Sequence, residues 1–477
     1  MSVDTYKIAT YGEINPAIFQ IVTFPFLFAV MYGDWGHGAV FLAMGAVMCL
    51  FDSKLKKAGM KDLQMTRYFW LMMGFFSVYQ GLIYNEFFAV PNDFFGSCFN
   101  VKACDPANGC TQINYKSSSQ DCVYAFGMDP SQALSSQYLN YTNSIKEKLA
   151  VIIAYFHLNF GIVLNALNAI YFGKWQKLFF DIFTGVIIFL GLIGFMVVLI
   201  YVKWWYPVNA YEEITDFTAA GNVATSPQII TVMIANTMGL AGLAEANNPD
   251  YLWFSSQQTV SNILVYLTVI CLPLMLCGIP CIFICCGPKH HEEVPDQFNQ
   301  IAAADEEGRL IDQDDDLKYG MRDIEDMLSK HAPKEDAHGG IGEIFIHQII
   351  ETIEFVLGCI SNTASYLRLW ALSLAHGQLG EVFLTIFFTQ FLGSVTSDGT
   401  AEGLSGAGAV LYYFILGFGY MFAVFCVLFL MDVLEVFLHT MRLHWVEFMG
   451  KFYAGQGIAY KPFSFTEVFE REQSRKD

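Results

Sequence analysis

Residues 344–391 read IFIHQIIETIEFVLGCISNTASYLRLWALSLAHGQLGEVFLTIFFTQF. A helix that crosses ~30 Å of hydrocarbon needs about 20 mostly apolar residues, and this run is far longer. Its one basic residue apart from histidines is Arg368. A guanidinium is always charged, and at mid-bilayer it costs at least about 2.5–3.5 kcal/mol on insertion scales. It therefore needs a partner, a water-filled cavity, or both. The rest of the chain has the same character. It has 477 residues, 54% hydrophobic, 16% aromatic and 15% charged, with a mean hydropathy of +0.40. Soluble domains carry about 25% charged residues. A disordered protein, a coiled coil and an ordinary soluble enzyme are excluded. The net charge of -19 argues against nucleic acid as a partner. The fold class is an all-α polytopic membrane protein.

The apolar count predicts about eight transmembrane helices, near 17–33, 38–51, 68–88, 149–172, 178–203, 259–286, 344–391 and 408–449. The first two are short and joined by Gly33-Asp34-Trp35-Gly36-His37-Gly38, so they are either two steep spans or a buried hairpin. The last two are too long for perpendicular crossing. At 1.5 Å per residue, ~40 residues make about 60 Å, so they must tilt strongly, break or project.

Basic residues set the orientation. Lys54, Lys56, Lys57, Lys61 and Arg67 follow the second region, and Lys174 and Lys177 follow the fourth. Those loops are expected to be cytosolic. The loop 204–258, which lacks Lys and Arg over 205–257, is expected to be lumenal. With eight crossings both termini lie in the cytosol. Residues 1–16 are polar, without the pattern of a secretory signal, and read as a cytosolic lead-in. A six-helix membrane region follows over 17–286, then an acidic cytosolic linker over 287–342, two long helices over 343–452 and a cytosolic tail over 453–477. The linker carries 15 acids and 6 bases between Lys289 and Asp336, with one short helix expected near Asp323–Lys330.

The loop 89–146 carries Cys98, Cys104, Cys110 and Cys122 and the sequon Asn140-Tyr141-Thr142. Four cysteines in one polar loop fit two disulfides in an oxidising lumen or a reduced zinc site, and the charge topology favours disulfides. Asn140 is a candidate glycosylation site. The other cysteines lie in or beside apolar spans and read as packing residues.

No G-x-x-x-x-G-K-[ST] phosphate loop, HExxH, GxSxG or dinucleotide fingerprint occurs. The chain is not expected to hydrolyse nucleotide itself, and no cofactor or metal is expected. Energy for uphill transport would come from a partner or another gradient.

Helical periodicity says what shares a side with Arg368. Glu354, Ser361 and Ser365 fall within about 60° of it and His376 about 80° away. In the last span Asp432, Glu435, His439 and Arg442 recur at spacings of 3, 4 and 3 as one polar stripe. An extended titratable stripe makes sense where protons move along it. The bland reading is that the arginines pair with Glu354, Asp432 or Glu435 to fix helix packing. His439 and His444 read equally as interfacial residues, and His157 as a satisfied core residue.

The run Thr363-Ala364-Ser365-Tyr366-Leu367-Arg368-Leu369-Trp370-Ala371-Leu372-Ser373-Leu374-Ala375-His376 resembles the signature of subunit a of vacuolar-type proton ATPases. The similarity continues in Leu438-His439 and Arg442-Leu443-His444-Trp445-Val446-Glu447-Phe448, in Pro25-Phe26 through Gly38, and in Ile83-Tyr84-Asn85-Glu86-Phe87-Phe88. Family members carry a large cytosolic amino-terminal domain before this membrane half. The resemblance implies a membrane stator beside a ring of proteolipid subunits with embedded carboxylates, turned by a cytosolic ATPase sector through peripheral stalks, with other membrane-sector subunits and the lipid bilayer as further partners. It implies two proton half-channels separated by Arg368 and proton movement from cytosol to the lumen of acidified organelles. Arg442 matches the second family arginine, and Glu354 and His376 match a family acid and histidine. Asp432 stands where the family usually has Glu, with Glu435 an extra acid nearby. Glu354 is then expected on the cytosolic path and Asp432 and His376 on the lumenal path, with Ser361 and Ser365 facing the ring. A secondary proton-coupled transporter working alone is the alternative; it would call for paired repeats with broken helices, and none is evident.

Overall fold

Each of the eight apolar regions expected from the sequence contains helix among the described residues, with ends that depart from the apolar count in several places. The structure, a computed structural model, describes residues 3, 5–10, 12–57, 59, 61–97, 99–100, 114–115, 124–130, 138–205, 257–286, 341–390, 406–457 and 465. Helix α1 is Ala17–Met31, α2 Trp35–Leu50, α3 Lys61–Tyr84, α4 Tyr138–Tyr171, α5 Trp175–Trp205, α6 Gln257–Cys286 and α7 Ile341–Leu384, the last extended by the π-helical turn Thr385–Gln390. Helix α8 covers 406–451. It alternates α-helix with π-helical turns at Val424–Met431 and Leu443–Phe448. Two small antiparallel pairs follow α3, β1 (Glu86–Phe87) with β2 (Val90–Pro91) and β3 (Phe99–Asn100) with β4 (Asn114–Tyr115).

Among the described residues, four helical stretches are long and apolar enough to cross a membrane: Tyr138–Tyr171, Trp175–Trp205, Thr259–Gly278 and Phe414–Lys451. The protein is an all-α polytopic membrane protein. Helices α1 and α2 have only 15 and 16 residues. They form a hairpin whose turn, Tyr32 to Asp34, is buried. Helix α4 begins at Tyr138, eleven residues before the apolar count placed it. Residues 138–148 are mostly polar, among them Asn140, Thr142, Asn143, Ser144, Lys146, Glu147 and Lys148, and an apolar count passes over such a stretch. This shortens the expected loop 89–146 and puts Asn140, exposed, near the start of a helix. Cys98, Cys104, Cys110 and Cys122, most of the loop 204–258 and the linker with its helix near Asp323–Lys330 lie outside the described residues.

The chain divides into two units, one of Met1–Leu164 with Ile360–Ala454 and the other of Asn165–Cys359 with Gly455–Asp477. In the first, α2 lies directly on α3. A Cβ on Gly38 would sit 2.7 Å from the Val78 nitrogen, and one on Gly45 2.7 Å from the Leu71 Cα. Small residues let helix backbones approach where lipid supplies no hydrophobic drive. Phe24, Phe28, Met31, Tyr32, Phe41 and Met73 are fully buried around this contact. Helix α8 packs on the hairpin through Phe41–Phe429 stacking (4.7 Å) and Phe24–Phe437 edge contact (5.4 Å). The amino-terminal segment closes the unit, with Lys7 Nζ donating to the Ala454 carbonyl (3.1 Å) and Tyr453 Oη to the Lys7 carbonyl (2.9 Å).

Between α2 and α3, Asp52 accepts from Gln64 Nε2 (2.7 Å) and pairs with Lys56 (3.3 Å) and Arg67. Desolvation works to raise this carboxyl, but these three partners outweigh it and hold it below the usual carboxylate range. In the second unit, Phe355 of α7 fills the gap left by Gly185 of α5, beside buried Ile188, Cys271 and Met275.

Gly45→Leu should force α2 off α3 and lower stability by about 1–3 kcal/mol. Heating in mild detergent should then remove monodisperse protein at a lower temperature than for wild type; an unchanged midpoint would contradict this packing.

Candidate functional site

Asp34 caps α2, and its carboxylate accepts from the Gly36 and His37 backbone N–H groups (2.7 and 3.3 Å). Sequence alone explains that much, since Asp is a preferred N-cap. The fold adds more. The chain after α3 turns through left-handed backbone at Asn85, Phe88 and Ala89 (φ 54, 50 and 59). These are uncommon conformations for residues other than glycine. They aim the N–H groups of Phe88 (3.0 Å) and Ala89 (2.5 Å) at the same carboxylate. His37 Nδ1 lies 2.9 Å away and His376 Nε2, from α7, 3.4 Å away.

The other nitrogen of His376, Nδ1, lies 2.6 Å from Asp432 Oδ2 on α8. Asp34, His376 and Asp432 thus form one buried chain of carboxylate, imidazole and carboxylate. A ring with a carboxylate oxygen at each nitrogen donates from both only as the imidazolium. The chain can therefore take up a proton and release it. Tyr32 covers the His376 ring at 4.7 Å between centroids and donates its hydroxyl to the Leu428 carbonyl (2.9 Å). Asp34, His37 and His376 also offer ligand atoms within 4.8 Å of one another. Both Asp34 oxygens already accept several donors, so the geometry is that of a hydrogen-bonded hub.

Beside this chain lies a cavity of about 180 Å³, lined by Glu86, Tyr138, Thr142, Lys146, Gln378 and Glu381 among others. The buried ion pair Lys146–Glu86 (3.1 Å) borders it, and Lys146 also donates to the Ser373 carbonyl (3.2 Å), one turn before His376.

A second polar group surrounds Arg368. Its guanidinium is partly buried, and Nη1 has no hydrogen-bond partner among the described residues. Arg442 of α8 and Glu447 are its charged neighbours. Glu447 is buried, hydrogen-bonded to Ser365, and influenced by both arginines. His439 lies close enough to feel both, and its Nε2 is 3.7 Å from the outward-facing Glu435.

The structure brings Arg368, Arg442, His439, Glu435 and Ser365 into one cluster and His376 and Asp432 into another. Asp432 turns inward and Glu435 outward, although both belong to the predicted stripe. Ser361 is exposed on the outer face of α7, and Glu354, exposed, lies in the other unit. His444 is fully buried rather than interfacial, held between Thr23 Oγ1 (3.0 Å) and the Thr440 carbonyl (2.9 Å). His157 is a core residue stacked on Phe448 at 4.1 Å. Sequence reasoning did not single out Asp34, His37, Glu86, Lys146 and Glu447 as site residues. The available signal was an acid or base inside an otherwise apolar stretch.

A family profile described as the V-type ATPase 116kDa subunit family matches residues 2–465. The chain belongs to that family. Mouse V-type proton ATPase 116 kDa subunit a 1 is 35% identical to it, over 98% of this chain and 54% of the mouse protein. The V-type proton ATPase subunit a3 of Arabidopsis thaliana is 35% identical over 97% of this chain and 50% of its own length. The vacuolar proton translocating ATPase 100 kDa subunit of Dictyostelium discoideum is 36% identical over 98% of this chain and 52% of its own. The chain spans about half the length of the curated relatives it matches.

For this V-type ATPase family member, Asp34→Ala should orphan several buried donors at about 1–3 kcal/mol each. Loss of folded protein from membranes, beside normal levels of Glu435→Gln, is the expected result. Equal levels of both variants would show that the hub is dispensable.

Proposed function

We propose that this chain is the membrane stator subunit of a rotary V-type ATPase. Together with a proteolipid ring it forms two offset proton half-channels and carries protons from cytosol to lumen when ATP hydrolysis elsewhere turns the ring. The observation that carries this reading is a permanent cation, Arg368, whose Nη1 is buried without a hydrogen-bond partner among the described residues. Its charged neighbours are the second guanidinium, Arg442, and the carboxyl of Glu447. On the same outward face of α7 stand Ser361, Ala364, Ala371 and Ala375, all exposed and small. Small residues allow another helix to approach closely. An approaching ring carboxylate would supply the missing partner.

The chemistry follows from permanence of charge. Arg368 favours the ionised form of the ring acid, promotes its deprotonation towards the lumen and stops a proton from slipping along the seam. The proton released then meets Asp432 and His376, which lie hydrogen-bonded together, and leaves by the cavity beside Lys146 and Glu86. Glu354 belongs to the cytosolic approach. The chain itself hydrolyses no nucleotide. Its partners are the proteolipid ring, the other membrane-sector subunits, the cytosolic ATPase sector reached through peripheral stalks, and the bilayer of an acidified endomembrane organelle, with both termini in the cytosol.

Arg368→Lys tests the role directly, because a buried lysine sheds its proton readily and lacks the planar fork. ATP-driven acidification of vesicles should fall more than about tenfold, a barrier change of roughly 1.4 kcal/mol or more, while the complex stays assembled. Normal acidification would remove the proposal. Asp432→Asn should impair pumping strongly and Glu435→Gln only slightly; the reverse order would assign the lumenal step to Glu435.

A further inference from the structure

In the second unit a buried acid, Asp181, has no role in the reading above. Asp181 lies on a π-helical turn of α5, Leu178–Phe183, and is 5% exposed. Gln348 of α7 donates its amide to Asp181 Oδ1 (2.9 Å) and to the Met275 carbonyl of α6 (3.1 Å). This bifurcated amide ties α5, α6 and α7 together. The other oxygen, Asp181 Oδ2, is buried and has no hydrogen-bond partner among the described residues.

A purely structural acid would be expected to use both oxygens, since a buried unsatisfied acceptor costs about 1–3 kcal/mol. A carboxyl that alternates between charged and neutral leaves one oxygen available for the proton. The surroundings suit that exchange. Among the described residues, Glu351 and His347 of α7 and Lys177 of α5 are the titratable groups that act on Asp181, and α6 contributes the Met275 carbonyl, through Gln348. Lys177 and Glu351 form a half-exposed ion pair (3.2 Å; 45% and 34% exposed). They mark the end of the unit that the basic residues Lys174 and Lys177 assign to the cytosol. Water-accessible charge thus stands beside a buried carboxyl with a free oxygen.

We infer that Asp181, held by Gln348 beside the Lys177–Glu351 pair, is a proton-accepting residue of the cytosolic intake. The inference rests on the stator reading and deepens it. Asp181 takes a proton from hydronium, becoming the neutral acid and leaving water, and returns to carboxylate when that proton passes on towards the ring.

The test uses the assembled complex in vesicles, with ATP-driven acidification followed as the cytosolic-side pH is varied. Asp181→Asn preserves shape and the bond from Gln348, and it should lower the rate at least about tenfold, with Asp181→Glu restoring most of it. The two flanking charges provide a readout that packing alone would not move. Uptake requires protonated Asp181, so the rate falls as cytosolic pH rises. Glu351→Gln removes a negative charge and should shift that fall to lower pH by about half a unit; Lys177→Gln removes a positive charge and should shift it to higher pH by a similar amount. Wild-type rates in Asp181→Asn overturn the inference. So do unshifted profiles in both charge variants, which also decide the matter should Asp181→Asn fail to assemble. Arg368→Ala measured alongside separates the two ideas. Its inactivity with an active Asp181→Asn removes only the intake, whereas full activity of Arg368→Ala removes the stator reading itself.

Discussion

The carboxylate of Asp34 collects donors from its own helix cap, from the left-handed turn after α3 and from His376 of α7, and the polar interior of that unit depends on it. In a membrane no water replaces a missing partner, so polar groups must satisfy one another. Asp34 does so for four backbone N–H groups and stands against two imidazoles. Its position in turn fixes where His376 meets Asp432. A titratable couple is thereby held in place by a neighbour with no spare capacity.

Arg368 presents the opposite condition. Its charged neighbours are another guanidinium, Arg442, and the buried carboxyl of Glu447, and its Nη1 has no hydrogen-bond partner among the described residues. Low dielectric makes an unpaired guanidinium nitrogen expensive, and Ala364, Ala371 and Ala375 on the same face of α7 are small and exposed. Satisfied and unsatisfied polar groups stand side by side in one unit: the first fixes geometry, and the second leaves a buried guanidinium nitrogen without a partner among the described residues.

Much of this was readable beforehand. Apolar runs of bilayer length give the helices, and Arg368 is conspicuous because nothing near it in sequence can neutralise it. The start of α4 was missed because Tyr138 to Lys148 is polar and helical, and an apolar count is blind to that combination. The Asp34–His376 contact joins residues 342 positions apart, beyond the reach of any local pattern. Asp432 and Glu435 differ by less than a quarter-turn on a helical wheel, so periodicity joined them in one stripe. Only the packing of α8 against the hairpin turns one inward and leaves the other outside. Glu447 and Asp181 were overlooked for a related reason: an acid at the end of an apolar run reads as interfacial until its burial is known.

The face of α7 around Arg368 is where the account is most exposed. A cysteine at Ala371, one turn beyond the arginine and outward-facing, can be paired with cysteines placed one at a time along the outer helix of the ring proteolipid in the assembled complex. Disulfide formation should peak with the ring cysteine one turn from the embedded carboxylate and should be lost when ring rotation is driven by ATP. Cross-linking absent at every ring position, together with labelling of the Ala371 cysteine by a lipid-soluble maleimide, would mean that this face meets lipid and that no acid ever approaches Arg368.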